Sequence, residues 1–120
     1  MTSAEFLDQL LVDNKALELA KDNLKRWHDV KRLVESNEVV NLVDKLTEDV
    51  NATTARIALG NQLLDAMEDP TERACLRFRY VFGYKIKAIA KRMAYGERSI
   101  HKYIASGKQH FEELYSKVSF

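Results

Sequence analysis

Between residues 85 and 108 the chain sets out side chains suited to holding and reading a polyanion. Lys85, Lys87, Lys91, Arg92 and Lys108 are cations of the kind that contact phosphates. Glu97, Arg98, Ser99, His101 and Lys102 end in groups that hydrogen-bond to base edges. Arginine and lysine pair best with guanine, and a glutamate accepts from cytosine. Arg98, Lys102 and Glu97 are therefore the candidates for those contacts. Arg98 and Lys102 are four residues apart, as are Lys87 and Lys91, so each pair projects from one side of a helix.

Little else in the chain is arranged for chemistry. His28, His101 and His110 have no ligand spacing, and a metal site needs several His, Cys or carboxylates to converge. There is no phosphate-binding glycine loop, no Cys-x-x-Cys and no nucleophile elbow. Ser99 has no identifiable base. The one cysteine, Cys75, lies among Ala74, Leu76 and Phe78 and reads as a buried structural thiol that cannot form an intramolecular disulfide. No enzyme activity, cofactor or metal is expected.

Positioning these residues takes two short helices and a turn. Ile86, Ile89, Ala90 and Met93 share one helical face, and the lysines and Arg92 take the others. Ala94-Tyr95-Gly96 breaks the pattern, where Gly96 can hold the non-helical conformation a turn needs and can start a helix at modest cost. A second helix opens with Glu97, whose charge suits the helix dipole, and carries Ile100, Ile104 and Gly107 along its inner side. Small Ala90 marks a close crossing, with Ile100 packing back against it. A helix over Glu72–Tyr80 can cover the pair. This is the layout of a helix-turn-helix, with a recognition helix over about 97–110.

The run ERACLRFRYVFGYKIKAIAKRMAYGERSIHKYIASG resembles the region 4 helix-turn-helix of bacterial sigma factors. It is more similar still to the small phage and prophage late-gene activators of the ArpU/RinA type. The likeness covers about Asp69 to Leu114. Gly96 stands where the family more often has Ser, and Lys87 where an acidic residue often precedes Ile-Ala. The resemblance implies a sequence-specific transcription regulator that binds double-stranded DNA, with RNA polymerase as a further partner and a phage or prophage origin in a bacterial cytoplasm. It also implies that part of the Glu72–Tyr80 helix is structural or faces the polymerase, which bears on Arg73, Arg77 and Arg79. Two alternatives stay open: an interaction protein that binds RNA polymerase or a phage protein, and a DNA-packaging subunit of the small terminase kind.

Charge is distributed to match. The net of +1 over 120 residues conceals 8 Lys/Arg against 14 Asp/Glu in residues 1–69, but 10 against 2 in residues 70–110. A positive segment inside a near-neutral chain points to a local anionic partner. No apolar run approaches the ~18 residues of a membrane span, and no secretory leader pattern opens the chain.

One proline and four glycines leave little room for long loops, so the chain reads as all-α. A first helix is expected over Met1–Glu35, capped by Ser3, with Phe6, Leu10, Leu17, Ala20, Leu24, Trp27 and Val34 on one seam. At ~1.5 Å per residue it would be roughly 50 Å long. Asp13 and Lys31 fall on that seam and mark a bend, a register-setting pair or a helix end. Ser36-Asn37 is the break. A second helix over Glu38–Met67 carries Val39, Val43, Leu46, Val50, Thr53, Ile57, Gly60, Leu64 and Met67 in 3-4 alternation. Val43, Leu46, Val50, Ile57 and Leu64 either close an intramolecular hairpin or form a homodimer coiled coil. Trp27 is expected as a packing anchor. Pro70 ends this arm, which gives an arm over 1–68 and a helix-turn-helix domain over 69–120. Phe78, Tyr80, Phe82 and Tyr84 read as core, and the last helix is expected to run through Leu114 and Tyr115 and fray before Phe120.

Overall fold

Glu5 stands three residues after Thr2, and that spacing decides where the chain first becomes helical. In the computed structural model, which describes residues 1–118, the Thr2 hydroxyl accepts from the Glu5 N–H at 3.1 Å, and the Glu5 carboxylate accepts from the Thr2 N–H at 3.1 Å. This capping box starts α1, Ser3–Leu33. The cap is Thr2 rather than Ser3, because only Thr2 has a glutamate at the third helical position. Val34 turns extended, and Ser36 caps α2, Asn37–Asp65, at the break expected for it. Asp69 accepts from the N–H groups of Thr71 and Glu72, and Pro70 occupies the first turn of α3, Pro70–Tyr80. Two further helices follow, α4 (Ile86–Met93) and α5 (Glu97–Val118). The described residues contain no strand, and none of their helices is long and apolar enough to cross a membrane. Ser119 and Phe120, where fraying was expected, lie outside the described residues.

A three-residue link leaves α1 and α2 antiparallel, and two contacts set their register. A Cβ placed on Gly60 would lie 2.8 Å from Leu10 Cδ1, so glycine permits the helices to close there. Arg56 grips Asp13 with two bonds, Nε to Oδ2 at 2.8 Å and Nη2 to Oδ1 at 3.1 Å. Of the three roles open to Asp13, the structure assigns the register-setting pair. Lys31, the other polar seam residue, is exposed. Along the rest of the hairpin Leu17, Ala20, Leu24 and Trp27 of α1 and Val50 and Leu46 of α2 are half-buried, and Val43 is buried. The two apolar seams thus meet inside one chain. The five residues read as an oligomerisation seam line this side of α2: Val43 and Leu64 are buried, and Leu46, Val50 and Ile57 are half-buried.

The largest core cluster forms where the base of the hairpin meets α3 and α5. Phe6, Leu7 and Leu10 of α1 and Leu63, Leu64 and Met67 at the end of α2 enclose Leu76, Tyr80 and Phe111. Fully burying side chains of this size contributes ~1.5–3 kcal/mol each. The junction at residues 68 and 69 is a helix boundary, and the core runs across it. Arg77 reinforces the join through Asp65 at 2.5 Å, and Arg73 through the Met67 carbonyl at 2.8 Å.

Candidate nucleic-acid interface

The second core cluster is small and holds the two-helix unit. Ile89, Ala90 and Ile100 are buried against Cys75 of α3, with Phe78, Tyr84, Ile86, Met93, Tyr103 and Ile104 around them. The crossing expected at Ala90 and Ile100 is where the two helices meet. Cys75 is fully buried with its Sγ 3.5 Å from Met93 Sδ, and burial pushes its thiol pKa up.

The turn falls at Ala94-Tyr95-Gly96 as expected, with its work divided between two residues. The left-handed residue is Ala94, at φ 58° and ψ 36°, and not Gly96. Ala94 closes α4 by donating to the Ala90 carbonyl, and Tyr95 donates to the same oxygen at 3.1 Å. Gly96 stands at the start of α5, the second role open to it, its carbonyl accepting from the Ile100 N–H at 3.2 Å. An alanine in this conformation carries a Cβ clash that glycine would avoid. The crossing of α4 and α5 through their buried side chains holds the turn in place.

Packing in this way turns the basic residues outward. Lys85, Lys87, Lys91 and Arg92 on or beside α4 are exposed, as are Glu97, Arg98, His101 and Lys102 on α5; Ser99 is half-buried. Among the described residues, the ion pairs are Lys21–Glu18, Arg32–Asp29, Arg56–Asp13, Arg77–Asp65 and His110–Glu72. None involves a cation of the α4–α5 surface, which leaves six of them without an internal counter-ion.

Two residues of the expected recognition stretch are engaged elsewhere. Lys108 is half-buried, with its Nζ 5.6 Å above the Tyr80 ring. His110 lies two turns beyond Lys102 and donates from Nδ1 to Glu72 at 2.5 Å. Glu72 is 4% exposed, and its second oxygen accepts from the Ser106 hydroxyl. Hydrogen bonding and attraction from Glu72 raise the His110 pKa. The carboxylate sits between hydroxyl and imidazole, so the trio ties α3 to α5 and aims no base at the serine. Of the stretch expected to read DNA, the first turns of α5 carry the exposed Glu97, Arg98, His101 and Lys102, which make no ion pair or side-chain hydrogen bond among the described residues. Glu72 was detectable, since it shares a helical face with the buried Cys75, Leu76 and Tyr80, and a carboxylate there requires a partner.

The α3 arginines serve packing: Arg77 pairs with Asp65 at the end of α2, Arg73 donates to the Met67 carbonyl just beyond it, and Arg79 donates to the Tyr84 carbonyl at 3.4 Å. Of the aromatic residues read as core, Tyr80 is buried and Phe78 and Tyr84 are half-buried. Phe82 corrects the reading, because it is 57% exposed at the end of the α3 turn. Among the described residues no group of three or more His, Cys, Asp or Glu is placed to hold a metal ion. Comparison with protein-family models, with curated proteins and with solved structures finds no match to the chain.

Proposed function

We propose that this chain is a DNA-binding transcription regulator in which α4 and α5 act as a helix-turn-helix of the sigma region 4 kind. The observation that carries the reading is the set of six unpaired cations on the outward faces of two helices whose inward faces are locked by Ile89, Ala90 and Ile100. In this reading the first turns of α5 enter the major groove, where Arg98 and Lys102 meet base edges with Glu97, Ser99 and His101 beside them. Lys85, Lys87, Lys91 and Arg92 hold the flanking phosphates.

The working unit is taken as a homodimer. Val12, Leu19 and Leu33 on α1 remain exposed after α2 has filled the seam, and they offer a second copy an apolar surface. Light scattering of the purified protein tests this part. A second reading, in which the chain docks on RNA polymerase or a phage protein without a specific DNA site, draws support from exposed Phe82 beside Phe78. Affinity selection from random duplexes separates the two. Enrichment of one motif supports the regulator, whereas uniform recovery or none supports the docking protein.

A further inference from the structure

Arg92 differs from the other cations of the surface. Its Cζ lies 4.3 Å from the centroid of the Tyr84 ring. That ring is itself fixed. It stacks against Phe78 at 5.8 Å and Phe82 at 6.0 Å, with interplanar angles of 29° and 22°. Its backbone is held at both ends, the N–H donating to the Phe78 carbonyl at 2.9 Å and the carbonyl accepting from Arg79. A chain of contacts therefore runs from α3 through Tyr84 to a guanidinium in the last turn of α4. The guanidinium makes no hydrogen bond or ion pair among the described residues, so its five N–H donors remain for an oxyanion. Among the described residues, Lys85, Lys87 and Lys91 have no comparable ring beneath them.

We propose that Tyr84 is a positioning residue, whose ring pre-orders Arg92 for a backbone phosphate; this rests on the DNA-binding reading above. An exposed arginine samples many rotamers, and fixing one on binding carries an entropic cost. A ring that has already fixed it removes much of that cost, equivalent to about 3- to 10-fold in affinity. The effect does not depend on sequence, because a phosphate is being held.

The test measures duplex binding across a salt series for the full chain and for Tyr84→Phe, Tyr84→Leu, Arg92→Ala, Arg92→Lys and the Tyr84→Leu/Arg92→Ala double variant. Tyr84→Phe keeps the ring and should bind as the parent does. Tyr84→Leu should bind about 3- to 10-fold more weakly on cognate and scrambled duplex alike. In the Arg92→Ala background it should have no further effect, since the platform then has nothing to hold. Arg92→Lys, a change at an exposed position, retains the charge without the planar stack and should fall close to Arg92→Ala. Additive losses in the double variant, or an Arg92→Lys chain that binds like the parent, would overturn the assignment while leaving the DNA-binding reading intact. Failure of the parent chain to bind any duplex would remove both.

Discussion

Replacing Lys87 and Arg98 one at a time tests whether holding and reading are divided between α4 and α5. Four exposed cations, Lys85, Lys87, Lys91 and Arg92, are assigned to phosphates. Each neutralised phosphate contributes about −0.9 to the slope of log K against log salt, so one copy of the surface should give about −3.6. Raising salt from about 50 to 200 mM should then weaken binding by about 150-fold. Lys87→Ala should flatten the slope to about −2.7 and the loss over that range to about 40-fold, on cognate and scrambled duplex equally. Arg98→Ala should weaken the cognate site by about 1–3 kcal/mol, or about 5- to 150-fold, while scrambled DNA changes far less. The assay is a fluorescence-anisotropy titration of both variants on both duplexes at several salt concentrations. Loss of discrimination in Lys87→Ala with its retention in Arg98→Ala would refute the assignment of roles to the two helices.

Four further outcomes follow from the contacts that hold the surface in place. Asp13→Leu removes a buried carboxylate from a partly exposed arginine and should cost about 1–3 kcal/mol in urea unfolding, whereas Asp13→Leu/Arg56→Leu should recover most of it; equal losses in both would show that the pair does not set the register. The His110 pKa is raised by hydrogen bonding to Glu72. Stability from that pair is therefore full below the ordinary histidine value of 6.5 and lost as pH rises through the higher folded value, and a pH series of thermal unfolding should lose this decline in His110→Gln. Ala94→Gly relieves a left-handed alanine and should raise stability by about 0.5–1 kcal/mol net of its entropic cost, as read by chemical denaturation. Val50→Asp places a charge at a half-buried seam position and should reduce helix content by circular dichroism at every protein concentration, because the seam lies within one chain; a loss confined to low concentration would indicate an intermolecular seam.

Residue types alone made much of this arrangement legible, and the failures share a cause. The seams of α1 and α2 could be traced separately because each is a local 3-4 pattern, and their match in the hairpin follows from that independence. Ser36 and Asp69-Pro70 were readable as breaks because caps act over three residues. The Glu72–Ser106–His110 tie escaped notice because its partners stand 34 and 38 residues apart, and no local pattern joins them. Gly96 at the start of α5 was legible because a cap is a local feature, whereas the left-handed conformation of Ala94 was not, since alanine carries no local signal for it and the packing of Ile89 and Ile100 fixes the turn. Lys108 is half-buried with its Nζ above the Tyr80 ring, a neighbour of which helical periodicity gives no sign.

These corrections bear on function in one direction. Two of them, the Glu72 tie and Lys108, attach polar groups of α5 beyond Lys102 to the rest of the fold. Ser106 and His110 are bound to Glu72, Lys108 lies over Tyr80, and Phe111 is buried against Phe6. A helix of 22 residues held so firmly along its second half acts as a lever with a fixed end. The orientation of Arg98 and Lys102 is then set by contacts made two to three turns away, among them contacts to the hairpin through Phe6. The arm and the two-helix unit are mechanically one piece through α5. Phe6→Ala, a change at the base of the hairpin, should therefore weaken binding in the same anisotropy titration without touching Arg98 or Lys102, and binding equal to the parent's in a folded variant would show that the two ends of α5 act independently.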